Sequence, residues 1–205
     1  MNAKRLTVTL LFTAILMGFF IWMTSALVND AARKNRIWKE ESKKVTDAIE
    51  YIQSRHYDIM FYGESLKGPS AFTARHVYDL EDELMDPPSV DETCQGRMLI
   101  IADQLGNVPL TQDQWKTVFK LMTEEKYVIV YLGSAQLETI QKTGFFFKTY
   151  PTSTRSVILW NGGADCEFGF ADNEKMVPEV VLANLSEEQK PIYTMIMKIA
   201  SEKYF

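Results

Sequence analysis

Cysteine and histidine are scarce in this 205-residue chain, with two of each. Two cysteines exclude a disulfide-dense mini-protein. Two histidines in no H-E-x-x-H or similar spacing leave zinc chemistry without support. No G-x-G-x-x-G and no Walker loop occurs, so nothing announces a dinucleotide or a triphosphate, and no cofactor is expected. Basic residues are not in excess: 22 Lys and Arg stand against 27 Asp and Glu, a net charge of −5. A second long apolar run is also missing, which excludes a multi-span channel or transporter. What is present is a globular balance, 46% apolar and 24% charged. That excludes a disordered, collagenous or low-complexity chain.

One apolar run exists. Leu6 to Val28 holds no charged residue. As a helix these positions extend roughly 34 Å, enough for a bilayer core of about 30 Å. Its hydroxyl residues, Thr7, Thr9, Thr13, Thr24 and Ser25, can each return the hydroxyl to a carbonyl of the preceding turn. Trp22 lies where an interfacial aromatic would sit. The rival reading is a cleaved secretory signal, with Lys4 and Arg5 as its basic start and Thr24-Ser25-Ala26 as small residues. The run exceeds the usual signal core and no clean A-x-A comes after it, so an uncleaved anchor is expected. The chain then divides into a tail (1–5), a transmembrane anchor (6–28), a juxtamembrane helix (29–55) and one α/β domain (56–205). Lys4 and Arg5 favour an inside N-terminus. Arg33, Lys34, Arg36, Lys39, Lys43 and Lys44 lie just past the span and by count favour the opposite. Short anchors led by a basic pair commonly export the domain they tether, so the large domain is expected outside the cytoplasm.

Charge is unevenly placed. Residues 1–44 carry net +5 and the remainder net −10. The basic juxtamembrane residues suit anionic headgroups or envelope polyanions, or simply make a solvated helix face beside Glu40 and Glu41. The acidic remainder argues against nucleic acid.

Hydrophobic spacing predicts the elements. Trp38, Val45, Ala48, Ile49 and Ile52 form one helical stripe within Asp30–Arg55. Tyr57–Tyr62 reads as a strand ended by Gly63. Gly68-Pro69 and Pro87-Pro88 punctuate an irregular stretch, in which Ala71–Met85 reads as a helix. The seven acidic residues from Asp79 through Glu92 read as a solvated face. Arg97–Ala102, Tyr127–Leu132 and Ser156–Trp160 read as further strands. Between the first two of these, Thr111 and Gln114 form a capping box, Leu110 and Trp115 a hydrophobic staple. Gly133-Ser134 turns the chain into a short helix, Ala135–Lys142, with Ser134 as N-cap and Gly144 as C-cap. Phe145–Phe147 is an edge strand or a buried turn. The tail, Glu187–Tyr204, is a helix capped by Ser186 and Gln189 with Pro191 in its first turn.

Strands alternate with helices, and the strands are apolar without alternation. Such strands are buried on both faces, which predicts a three-layer α/β sandwich with a mostly parallel sheet after one transmembrane helix. The succession resembles the flavodoxin-like and class I glutamine amidotransferase-like architectures. No residue motif of either family is present.

Candidate chemistry is thin. Leu132-Gly133-Ser134-Ala135-Gln136 occupies a strand-to-helix turn, but Leu132 and Gln136 stand where a G-x-S-x-G elbow needs glycine. His56 and His76 are possible bases. Cys94 and Cys166 would form a disulfide outside the cell, contributing roughly 2–4 kcal/mol. Inside it they would be free thiols, and Cys166 could act as a nucleophile. Asp165, Glu167 and Asp172 lack EF-hand spacing and read as solvated loop acids. Open parallel sheets bind ligands beyond the carboxyl ends of their strands. Those ends carry Glu64-Ser65, Asp103-Gln104, Gly133-Ser134 and Asn161-Gly162. The candidate ligand residues are therefore Glu64, Ser65, Asp103, Gln104, Ser134, Asn161 and Gly162, set against a reading in which they simply make turns.

The expectation is a single-pass protein of the bacterial cell-envelope type. It would hold lipid through residues 6–28 and the basic juxtamembrane residues, and would display a non-catalytic domain that binds a protein partner. Two alternatives differ in class. One is an anchored hydrolase or amidotransferase-like enzyme using Cys166 or Ser134. The other is a small-ligand sensor whose pocket lies at the strand ends.

Overall fold

A computed structural model of the chain describes residues 3–80, 94–124, 127–143, 153–161, 167–170 and 176–202. The chain forms two compact units, Met1–Lys43 and Lys44–Phe205.

The first unit is helical and belongs to α1 (Ala3–Ser54). From Phe12 the helix is long and apolar enough to cross a membrane. Phe12, Met17, Phe20, Ile21, Trp22, Leu27 and Val28 are all exposed. Thr24 donates its hydroxyl to the carbonyls of Phe20 (2.8 Å) and Ile21 (3.0 Å), the local return expected of a hydroxyl in lipid. Beyond the apolar run, Asp30 pairs with Arg33 and Lys34, and Arg36 with Glu40.

The second unit is an α/β domain. It comprises the last turns of α1, then β1 (Asp58–Gly63), β2 (Arg75–Val77), β3 (Arg97–Ala102), α2 (Gln112–Glu124), β4 (Tyr127–Leu132), α3 (Leu137–Lys142), β5 (Ser156–Leu159), β6 (Glu167–Phe170), α4 (Glu179–Leu182) and α5 (Lys190–Glu202). The six strands form one sheet in the order β2-β1-β3-β4-β5-β6. The first four in that order run parallel. β5 is antiparallel to β4, and β6 is antiparallel to β5.

Successive strand residues point to opposite faces, and both faces are apolar. Leu99, Ile101, Ile129, Tyr131, Val157 and Leu159 join one core cluster with Trp115, Val118, Phe119 and Met122 of α2 and Ile140 of α3. Met98, Ile100, Val128, Val130, Leu132 and Ile158 join a second with Ala48 and Ile52 of α1 and Ile192, Met195, Ile196 and Ile199 of α5. Helices thus cover both faces, as the non-alternating strands require.

One expectation is corrected: within the helix expected over Ala71–Met85, β2 occupies Arg75–Val77 as the short edge strand beside β1. The mostly parallel sheet is present, with β5 alone reversed: β6, antiparallel to β5, runs with β1 to β4. β6 itself was not foreseen. The rest of that helix and of the acidic run (81–92), Gly144, Phe145–Phe147, Gly162, Asp165, Cys166 and Asp172 lie outside the described residues.

Candidate functional site at the carboxyl edge of the sheet

At the carboxyl ends of β3 and β4 the backbone must leave the sheet in tight turns, and a buried polar network fixes them. Asp103 comes directly after β3 and is 1% exposed. Its Oδ1 accepts the Val108 amide at 2.9 Å. Its Oδ2 accepts the Tyr131 hydroxyl at 2.8 Å and the Gln136 Nε2 at 2.9 Å. The Gln136 side chain completes the frame. Its Oε1 accepts the Leu110 amide (2.9 Å) and the Trp115 indole N–H (3.0 Å), and its Nε2 also donates to the Val108 carbonyl. The Gln136 amide donates to the Tyr131 hydroxyl at 3.0 Å. Burial, followed by the hydrogen bond to Asp103, pushes the Tyr131 phenol well above its ordinary range. Gly133 is required where the two turns meet, since a Cβ there would lie 2.3 Å from the Asp103 carbonyl oxygen. Asp103, expected to face ligand, is instead the centre of this frame.

Two crevices flank the loop that the frame holds. One, of about 380 Å³, is lined by Tyr62, Gly63, Glu64, Asn107, Val108 and Pro109. It lies by the β1–β3 switch point, where doubly wound sheets bind ligands. Here Glu64 is already engaged: both of its carboxylate oxygens accept the Leu105 amide, at 3.1 and 3.2 Å. Gly63, at φ 99°, leaves no room for a side chain, because a Cβ would lie 2.6 Å from the Ala102 carbonyl oxygen.

The other crevice, of about 410 Å³, lies beyond β3, β4 and β5 and is lined by Gln104, Leu105, Gly133, Ser134, Arg155, Ser156, Glu187, Glu188 and Pro191. The antiparallel course of β5 builds it. Ser156, the first residue of β5, pairs with Leu132, the last of β4. The start of β5 therefore brings Arg155 and Ser156 to this edge. By the same register, Leu159 pairs with Ile129, so Asn161 lies at the opposite edge of the sheet. Of the foreseen ligand residues, the second crevice gathers Gln104 and Ser134. Glu64 lies in the first crevice with exposed Ser65 next to it in the chain, while Gly162 is outside the described residues.

The polar groups of the second crevice differ in what engages them. Glu187 pairs with Lys190, and Glu188 with Lys67. Gln104 donates to the Glu188 carbonyl at 3.3 Å. Arg155 is exposed and makes no ion pair with any described residue. Ser156 is 1% exposed, a hydroxyl residue in the wall of this crevice. Ser134 is not the N-cap it was expected to be. That position belongs to Gln136, whose side chain serves the buried frame.

Neither histidine accompanies Ser134. His56, at φ 50°, lies in the turn between α1 and β1, at the amino edge of the sheet. His76 lies on β2, three strand positions from β4, or roughly 14 Å. Its ring meets Phe61 and Tyr78 edge-on. Cys94 is a half-buried free thiol whose Sγ lies 3.1 Å from the Gly96 carbonyl oxygen, and its expected partner Cys166 is outside the described residues. Among the described residues no cluster of three His, Cys, Asp or Glu could hold a metal ion.

Sequence reasoning missed Arg155, Ser156, Tyr131 and Gln136. Only Tyr131 carried a signal, which Tyr127 of the same strand shares, because a phenol in a buried strand needs a partner for its hydroxyl. Comparison with protein families, with curated proteins and with solved structures gives no match to this chain.

Proposed function

We propose that this chain is a single-pass membrane protein. It displays its α/β domain outside the cytoplasm as a non-catalytic binding module of the cell envelope. Residues 6–28 form the anchor, and the basic residues from Arg33 to Lys44 meet anionic headgroups. The observation that carries the binding role is the second crevice, where Arg155, without a described counter-ion, and Ser156 at the head of β5 face Ser134 on a turn fixed by buried Asp103, Tyr131 and Gln136. Rigid turns bearing polar groups suit recognition, because little ordering remains to oppose binding. The strand order through β4 resembles that of flavodoxin-like sheets, whose ligands lie at this edge, and the reversed β5 departs from it.

The test uses the full-length chain in its host membranes. The protein should resist alkaline carbonate extraction. A cysteine placed at exposed Lys120 in a Cys94→Ala, Cys166→Ala background should react with an impermeant maleimide on intact cells. On native gels the protein should run in a complex that survives Cys166→Ala and is lost in Arg155→Glu. Release by carbonate would overturn the anchor. Labelling only after lysis would overturn the orientation. A complex lost in Cys166→Ala but kept in Arg155→Glu would favour the enzyme instead.

A second reading, a small-ligand sensor using the same crevice, is favoured by one observation: Ser156, 1% exposed, lines the crevice as a hydroxyl residue at the head of an otherwise apolar buried strand. A hydroxyl in that position serves a small group better than a protein surface.

A further inference from the structure

We infer that the crevice beyond β3, β4 and β5 binds a small organic anion bearing a carboxylate or phosphate group, with Arg155 supplying the charge and Ser156 and Ser134 supplying hydroxyl donors. The inference deepens the sensor reading and rests on it.

Charge decides the ligand class. The charged residues that bear on the crevice are Arg155, Glu187 and Glu188 in its lining, and the two lysines that accompany the glutamates. Lys190 and Lys67 offset Glu187 and Glu188. Arg155 is left with no described counter-ion, so the uncompensated charge in the lining is positive, although the domain as a whole is acidic. A guanidinium presents parallel N–H donors that match two oxygens of one carboxylate or phosphate, a geometry an ammonium cannot supply.

Ser156 is the independent observation. Its strand companions Val157, Ile158 and Leu159 are fully buried, as is Leu132, its partner across the ladder. An apolar residue would satisfy that position at no cost. Here the chain keeps a hydroxyl instead, on the wall of the crevice, where it can donate to an acceptor oxygen that enters. Ser134 is exposed on the turn that Gly133 and Gln136 hold, and it lines the same crevice. The volume, about 410 Å³, exceeds a bare anion, so the charged group is one end of a larger molecule. Leu105 and Pro191 offer that molecule apolar contact.

The experiment monitors thermal unfolding of the full-length protein in neutral detergent with inorganic phosphate, glycerol phosphate or succinate, at matched ionic strength, against glycerol and spermidine. At least one anion should raise the melting temperature saturably, and glycerol and spermidine should not. Arg155→Met should abolish the shift, and Arg155→Lys should weaken apparent affinity about tenfold. Ser156→Ala should reduce the anion shift while leaving the ligand-free melting temperature unchanged or higher, an outcome that a structural role for the hydroxyl would reverse. Lys120→Met, on the outer side of α2, should change nothing. A shift that survives Arg155→Met, a shift with spermidine alone, or no shift with any of the three anions at millimolar concentration overturns the inference. If no anion binds while Arg155→Glu still disrupts the native complex, the anion is wrong and the binding module stands.

Discussion

At the scale of single residues, the domain spends buried polar groups on holding backbone, and Tyr131 shows how. Its hydroxyl donates to Asp103 and accepts the Gln136 amide, so one phenol joins the turn after β3 to the turn before α3. Tyr131→Phe preserves the ring and its edge-on contact with Trp115, but strands the Gln136 N–H. A loss of about 1–3 kcal/mol in denaturant melts at neutral pH is expected. The pH dependence has a definite sign. The folded phenol titrates above its ordinary value of 10.0, chiefly through burial and then through Asp103. The native state thus keeps a proton that the unfolded chain releases, so this contribution is complete below pH 10 and is lost as pH rises further. Tyr57 is raised by burial as well, so some alkaline slope remains in the variant. Between about pH 9 and about pH 11 the wild type should lose stability more steeply than Tyr131→Phe. Parallel slopes would mean that the Tyr131 proton is not linked to folding.

At the scale of elements, local signals proved dependable where the chemistry was local. The capping box expected at Thr111 and Gln114 is reciprocal: the Thr111 amide donates to Gln114 Oε1 at 2.9 Å, and the Gln114 amide to Thr111 Oγ1 at 3.2 Å. Thr111→Ala should therefore cost about 1 kcal/mol in equilibrium unfolding. A loss indistinguishable from zero would show that packing of Trp115 and Phe119 alone starts α2. The four apolar strands, at Tyr57, Arg97, Tyr127 and Ser156, were legible for a related reason: runs of β-branched and aromatic residues have few other uses. The mostly parallel course was legible, but the reversal of β5 was not. Val157, Ile158 and Leu159 are buried in an antiparallel strand as completely as Leu99 and Ile100 are in a parallel one. The single reversal at β5 rearranged the site, because it exchanged Asn161 for Arg155 and Ser156 at the carboxyl edge. β2 escaped notice because three residues are too few to show a period, and β6 because Glu167 and Gly169 interrupt its apolar residues.

At the scale of the whole molecule, the two units differ in what their surfaces need. Every described buried apolar residue is numbered 45 or higher. Every described large apolar residue that is exposed falls between Phe12 and Trp38, apart from Tyr78 and Leu105. Apolar exposure on that scale is not tolerated in water and calls for lipid or a partner. The core residues, by contrast, need nothing from the first unit's sequence to complete their two clusters. A chain beginning at Asp30 should accordingly be soluble without detergent. It should unfold in one cooperative transition with the midpoint of the full-length protein in detergent, and it should keep the effect of Arg155→Met on anion binding. The comparison is made by circular dichroism melts and by size-exclusion chromatography. Aggregation of the shortened chain, or a broad non-cooperative melt, would show that the α/β unit depends on the apolar helix for its fold, and that helix would then have to be counted as part of the domain's structure.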